Sequence, residues 1–222
     1  MSKKIQILST KTLPSIQKSA LENANFNVLE TDFIKTQNKN FDLKDIHANL
    51  IFTSQNAAHS VLAHKNCDDL KTKNVFCVGL KTKILLSENG FNVNVYTGYA
   101  EDLAEIITLI HHTDSFTFFS GNLRRDMLPN SLKKANVVFN EIEVYETTLT
   151  PQKIKNSVDG ILFFSPSGVE SYLKENTIKN EICFCIGETT AETLENKKIK
   201  NIVMANSPSI QNVITEVIEY YS

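Results

Sequence analysis

The residues with most to offer chemically stand in one stretch, 161–173, which reads ILFFSPSGVESYL. Residues 161–164 are bulky and uncharged, the composition of a strand buried on both faces. Pro166 has no N–H for a sheet ladder, so the strand ends there. Ser167 followed by Glu170 fits a capping box, in which the serine hydroxyl accepts an early helix N–H and the glutamate reaches back. Val169, Tyr172 and Leu173 then recur at helical spacing. Small hydroxyls and free backbone N–H groups therefore collect at the carboxyl end of a strand. Open α/β sheets take their ligands there, and such groups suit an anion.

The same arrangement is written a second time. Residues 51–62 (IFTSQNAAHSVL) run from strand through Thr53-Ser54 into a helix, and Ser54 stands 111 positions before Ser165. VFCVG at 75–79 is echoed 108 positions on by CFCIG at 183–187. IQILST at 5–10 is echoed by FTFFSG at 116–121, aligning Ser9 with Ser120, and VLET at 28–31 by VYET at 144–147. The chain reads as one α/β unit of roughly 110 residues present twice, a period too long for a solenoid, whose repeats run about 20–50 residues.

Composition bounds what those turns serve. A chain of 222 residues with 41% hydrophobic content can fill a core in each half. A formal charge of −2 argues against a general nucleic-acid binder. The N-terminal apolar run is too short for a signal peptide and no stretch approaches the ~18 apolar residues of a membrane span, so a soluble, cytoplasmic protein is expected. Cys67, Cys77, Cys183 and Cys185 have no zinc-type spacing, and three of them fall in expected strands, which predicts reduced thiols and no metal. His111-His112 closes a helix and reads as a solvated cap. Neither GxGxxG nor GxxxxGK[ST] is present, so no dinucleotide or nucleoside triphosphate has a fingerprint.

The elements that must position these groups follow from the pattern. Residues 5–8 form a strand ending at Ser9-Thr10. Pro14 opens a helix to about residue 25 with Ile16, Ala20, Leu21 and Ala24 inward. A strand at 26–33 leads to a polar linker at 36–40 and a short helix at 43–47. Strands at 50–52, 75–78 and 93–96 alternate with helices at 57–64, after the Gly79–Thr82 turn, and at 101–112. The second writing gives a strand at 116–119, the turn Ser120-Gly121-Asn122 with Arg124 and Arg125 just beyond, a helix at 127–134 and a long strand at 137–145. After a linker at 147–152, strands at 161–164, 182–186 and 202–204 alternate with helices. Thr189 and Glu192 form another capping box, and Ser207-Pro208 caps the last helix. The joints divide the chain into domain one, built from 1–34 and 149–222, and domain two, 38–145, with 34–40 and 145–153 as hinge linker strands. The site is then expected in a cleft between two rows of strand carboxyl ends.

Six motifs, IFTSQNA, VFCVGLKT, GNLRRDMLP, VYET, LFFSPSG and CIGETTAETL, carry a further reading. In this order and spacing the chain resembles the uroporphyrinogen-III synthase family over essentially its whole length. FFSPSG followed about 20 residues later by IGxTTA is the most specific part of the match. The family's fold is two flavodoxin-like parallel-sheet α/β domains joined by a two-stranded linker, domain one discontinuous. Lys81-Thr82 stands where the second half has Thr189-Thr190, so one hydroxyl is missing from that turn.

The resemblance implies a cofactor-free lyase. Its substrate is hydroxymethylbilane, a linear tetrapyrrole polycarboxylate. Loss of water gives an azafulvene, ring D attacks through its substituted carbon, and a spiro intermediate fragments and recloses with ring D inverted. Left alone, the bilane closes without inversion, so the enzyme's task is chiefly positioning. Strand-end groups suited to the carboxylates are Thr53, Ser54, Thr82, Gly121, Asn122, Ser165, Ser167, Gly168, Thr189 and Thr190, with Arg124 as an ion-pair partner. Tyr145 matches the family's cleft tyrosine, and a phenol of pKa about 10 is protonated at neutral pH and can act as a general acid. A monomer is expected, with transient handover from the upstream hydroxymethylbilane synthase and no nucleic-acid or membrane partner. A non-catalytic tetrapyrrole-binding or regulatory module would call for fused regulatory domains. A hinged binding protein of the periplasmic kind would call for a signal peptide. Neither accounts for six ordered motifs.

Overall fold

Short runs of β-branched and aromatic residues alternate with amphipathic helices along Lys4–Ser222, the residues that the computed structural model describes. In chain order these are β1 (Gln6–Ser9), α1 (Ser15–Asn23), β2 (Asn27–Glu30), β3 (Ile34–Asn38), β4 (Asn49–Phe52), α2 (Gln55–Leu62), β5 (Asn74–Val78), α3 (Leu80–Glu88), β6 (Asn92–Thr97), α4 (Ala100–Ile110) and β7 (Ser115–Gly121). Then follow α5 (Met127–Lys134), β8 (Val138–Leu149), β9 (Gly160–Phe163), α6 (Pro166–Glu175), β10 (Ile182–Cys185), α7 (Glu188–Asn196), β11 (Ile202–Met204) and α8 (Ile210–Tyr221). The chain divides into unit one, residues up to Lys35 with Thr148–Ser222, and unit two, Thr36–Thr147. The first three residues of the expected domain one lie outside the described residues. No described helix is long and apolar enough to cross a membrane.

Unit one holds a parallel sheet in the order β11-β10-β9-β1-β2. The other sheet runs β3-β8-β7-β4-β5-β6 and is parallel from β8 to β6. At its edge β3 is antiparallel to β8: Phe33 accepts from Thr150 N–H and Val144 from Lys39 N–H, so the numbering runs in opposite directions. Counted along its own chain, unit one has the flavodoxin order 2-1-3-4-5, while the five parallel strands of unit two count as 3-2-1-4-5. The spatial arrangement is the same, cut at a different point, because unit one opens with the last two strands of the repeat.

Register tests the duplication residue by residue. Asn49 pairs with Asn74 in unit two, and Gly160 pairs with Ile182 in unit one, which are shifts of 111 (160 − 49) and 108 (182 − 74). The two strongest echoes are therefore structural. The other two are not. Asn49 pairs with Phe116 and Gly160 with Ile7, so β7 and β1 correspond at 109 (116 − 7), and Ser120 falls two positions beyond Ser9. Phe116 pairs with Phe139 and Ile7 with Val28, so Val28 corresponds to Phe139 rather than Val144.

Each sheet is covered on both faces because its strands alternate. In unit two, Leu50, Phe52, Val75 and Cys77 meet α2 and α3, while Ile51, Phe76, Phe116 and Phe118 meet α4 and α5. In unit one, Ile7, Leu162 and Phe184 meet α1 and α8, and Leu8, Ile161, Phe163, Cys183 and Cys185 meet α6 and α7.

Several expected elements differ. The long strand expected at 137–145 continues as β8 to Leu149, into the expected linker at 147–152. The polar linker at 36–40 largely belongs to β3, an edge strand whose polar side chains face out. The helix at 43–47 is absent: Asp45 takes a positive φ of 53°, its carbonyl accepts from Asn140 Nδ2, and His47 N–H donates to Thr117 Oγ1, which captures the backbone in an irregular turn. Ile16 is 75% exposed, and Leu21 is the buried residue of α1.

Candidate active site

In each unit the strand order reverses beside the first strand of the repeat, and an open α/β sheet offers its ligand crevice at the carboxyl ends there. In unit two this point lies between β4 and β7. Ser54, in extended conformation, caps α2: its Oγ accepts from Ala57 N–H at 3.1 Å and donates to Tyr145 Oη at 3.1 Å. Thr53 beside it is partly exposed. A register shift between Ser120 and Gly121 sets Gly121 opposite Tyr145, skipping Val144. As bulges do, it re-aims a side chain, so the consecutive residues Val144 and Tyr145 both meet the α2–α3 core. The Tyr145 ring lies directly against Gly121. A Cβ there would fall 2.5 Å from Cε2 and 2.8 Å from Cε1. Glycine at 121 is thus required by the ring.

Asn122 and Arg124 stand on the turn after β7. Asn122 exchanges two hydrogen bonds with the backbone of Thr147, Nδ2 to the carbonyl at 3.1 Å and the Thr147 N–H to Oδ1 at 2.8 Å. Arg124 grips both carboxylate oxygens of Glu141, with Nη2 at 2.9 Å, and also Asp126. Ser120 Oγ donates to Glu141 at 2.7 Å. Burial would push the Glu141 carboxyl up, but the hydrogen bonds from Arg124 and Ser120 outweigh it and hold it below the ordinary glutamate value. A pocket of ≈ 360 Å³ is lined by Gly121, Asn122, Arg124, Glu141 and Glu143.

The reversal in unit one lies between β9 and β1. The cap of α6 is Ser165, not Ser167: its Oγ accepts from Gly168 N–H at 3.1 Å, Ser167 Oγ lies 3.0 Å away, and Pro166 takes the first helical position, where its missing N–H costs nothing. Thr10, almost wholly buried, donates from Oγ1 to Leu162 O at 2.6 Å. The remaining cap expectations also move. Gly187 rather than Thr189 caps α7, and Ser209 rather than Ser207 caps α8, its Oγ accepting from Asn212 N–H. Thr82 and Thr190 occupy matching places in α3 and α7, and both side chains are buried, at 4% and 1% exposure, while Thr189 faces out. A larger hollow of ≈ 920 Å³, lined by Glu188, Glu192, Lys198 and Met204 among others, runs along α7 and β11 and contains none of the expected residues.

The structure therefore brings Ser54, Gly121 and Tyr145 together, sets Asn122 and Arg124 next to them, and groups Ser165, Ser167 and Gly168 in unit one. Sequence reasoning missed Glu141, Ser120 and Thr147. Glu141 was traceable, since strand periodicity turns it to the same side as Glu143 and the neighbouring turn carries the chain's two arginines.

This is a doubled α/β protein whose sheets carry polar turns at both reversal points. Solved structures share the fold. Uroporphyrinogen-III synthetase from Helicobacter pylori matches with a TM-score of 0.72 at 18% identity over 98% of this chain and 100% of that one. A mutant uroporphyrinogen III synthase from Thermus thermophilus matches with a TM-score of 0.72 at 13% identity over the same shares. In sequence, the uroporphyrinogen-III synthase of Saccharomyces cerevisiae is 24% identical over 209 aligned positions, covering 78% of this chain and 75% of the yeast protein. The model of the uroporphyrinogen-III synthase HemD family matches residues 17–215. The chain belongs to that family, whose members are cyclising lyases of haem biosynthesis.

Proposed function

We propose that this chain converts hydroxymethylbilane to uroporphyrinogen III, with loss of water and inversion of ring D. The observation that carries the reading is the family match over 17–215, within which lie the turns after β4, β5, β7, β9 and β10. First-turn N–H groups that no intrahelical bond uses stand behind Ser54, Gly79, Ser165 and Gly187, suited to substrate carboxylates without a large basic patch. Thr53, Ser54, Ser165, Ser167, Gly168 and Thr189 supply those turns. Thr82 and Thr190 act from beneath, as buried members of the helix starts.

Tyr145 protonates the departing hydroxyl. Ser54 Oγ accepts a helix-start N–H and turns its own proton to the phenol oxygen, which leaves the phenol proton free for the substrate. Loss of water then gives the azafulvene, and the geometry in which ring D is held decides between inverting and non-inverting closure. The protein acts as a cytoplasmic monomer that receives its substrate from the upstream hydroxymethylbilane synthase.

The test is a coupled assay in which freshly generated hydroxymethylbilane meets the purified protein and the oxidised products are separated by chromatography. An excess of type III over type I uroporphyrin relative to the enzyme-free control is expected. Type I alone from folded protein would sink the reading.

A further inference from the structure

Tyr145 is flanked on β8 by two straps that tie it to the turn after β7. Two residues after it, Asn122 holds the Thr147 backbone through both ends of its amide. Four residues before it, Glu141 is held by Arg124 through both oxygens and by Ser120. The turn is closed on itself by Arg124 N–H to Gly121 O at 3.1 Å, and Asn122 N–H reaches Tyr145 O at 3.4 Å. Gly121, against which the phenol ring rests, lies in the middle of this strapped segment.

We infer that Asn122 and the Arg124–Glu141 pair are positioning residues that fix the turn on either side of Tyr145 and so set where its hydroxyl points. The inference rests on the reading of Tyr145 as the proton donor. It reassigns two residues that the sequence offers as substrate contacts. Their side chains are already engaged: Arg124 uses Nε, Nη1 and Nη2 on Glu141 and Asp126, so a substrate carboxylate would meet a guanidinium whose charge two of the protein's own carboxylates already balance. Asn122 uses both side-chain atoms on one peptide. A side chain placed by a strap affects the rate at which bound substrate reacts, not how well it binds.

Two measurements decide. The first reads geometry without activity. The chain has six tyrosines, and in protein labelled with 3-fluorotyrosine the Tyr145 signal is the one lost in Tyr145→Phe. Asn122→Ala and Glu141→Gln are expected to shift and broaden that fluorine resonance and leave the others in place. The second is a double-mutant cycle. Asn122→Ala is expected to lower kcat about tenfold with KM within about twofold, and to cost nothing more once Tyr145 is phenylalanine. Asn122→Asp, which keeps the acceptor for Thr147 N–H but loses the donor, should fall between. An unmoved Tyr145 resonance overturns the inference, as does a loss that persists in the Tyr145→Phe background with a raised KM. Wild-type turnover by Tyr145→Phe overturns the acid role instead, and the strap then stands or falls on the resonance alone.

Discussion

The two units share strand order and core pattern, yet they tie the same turn down in opposite ways. In unit one the turn after β1 is held from the β2 side by acids: Asp32 accepts from Thr12 N–H at 2.7 Å, and Glu30 accepts from Leu13 N–H at 2.7 Å and from Lys18 at 2.6 Å. In unit two the turn after β7 does the holding, with Asn122 and Arg124 reaching across to β8. The first solution fills the backbone donors ahead of α1 with the protein's own carboxylates, leaving little there for an anionic ligand. The second leaves an uncharged phenol resting on a glycine beside a capped helix start. Duplication supplied one frame twice, and among the described residues only unit two sets a tyrosine against a glycine at this corner.

The comparison breaks first at its largest expected effect. Tyr145→Phe should lower kcat about a hundredfold, the low end of a positioned general acid, with the product still formed. Gly121→Ala forces the ring off its seat and should cost a similar factor in kcat, with about 1–3 kcal/mol of stability for the overpacking. Gly160→Ala in unit one, where a Cβ would stand 2.9 Å from Ile7 Cδ1, should cost stability in a thermal melt and leave kcat alone. Equal kinetic losses in both units would erase the distinction. The paired serines sharpen it. Ser54→Ala and Ser165→Ala each remove a cap contributing about 1 kcal/mol, but only Ser54→Ala should also slow kcat several-fold, whereas Ser165→Ala should raise KM.

The acids give a smaller effect. Burial pushes the Glu30 and Glu141 carboxyls up, but the bonds from Lys18 and Leu13 N–H to the first, and from Arg124 and Ser120 to the second, bring both below the ordinary value. Their stabilisation is complete above the unfolded pKa of about 4.3 and is lost as pH falls through the lower folded value. Glu30→Gln and Glu141→Gln should therefore each flatten the acid limb of a stability-versus-pH curve below about pH 4.3. The smallest difference is expected at the thiols. Cys77 and Cys185 occupy matching register positions, and burial pushes them up to about 11 and about 12. Alkylation at pH 8 should be negligible in the native protein for both and rapid on unfolding.

Much of this was legible in the chain, for physical reasons. Strands β4, β5, β9 and β10 are bulky runs that stop at serine or glycine, and their register agrees with the two long echoes. The cap of α6 slipped by two because a proline that ends a strand also favours the first helical position, which hands the cap to Ser165. Strand β3 hid because an edge strand with one partly buried residue has no period to detect. Residue type marked Ser54 and the family resemblance marked Tyr145, but their contact spans 91 positions and depends on a bulge, which no local pattern encodes. The set that holds Glu30 was likewise hidden, since it is assembled from segments that meet only through the sheet.

Unit one is closed by pairing β1 with β9, Ile7 against Gly160. A nascent chain that has emerged only as far as β8 thus carries every strand of unit two, while β1 and β2 have just each other, too little sheet to persist in water. On the ribosome unit two can therefore mature before unit one, and β1 and β2 wait as an exposed apolar segment until β9 arrives. A premature stop between residues 150 and 160 would release a sound unit two with an unsheltered N-terminal tail, a ready target for proteases.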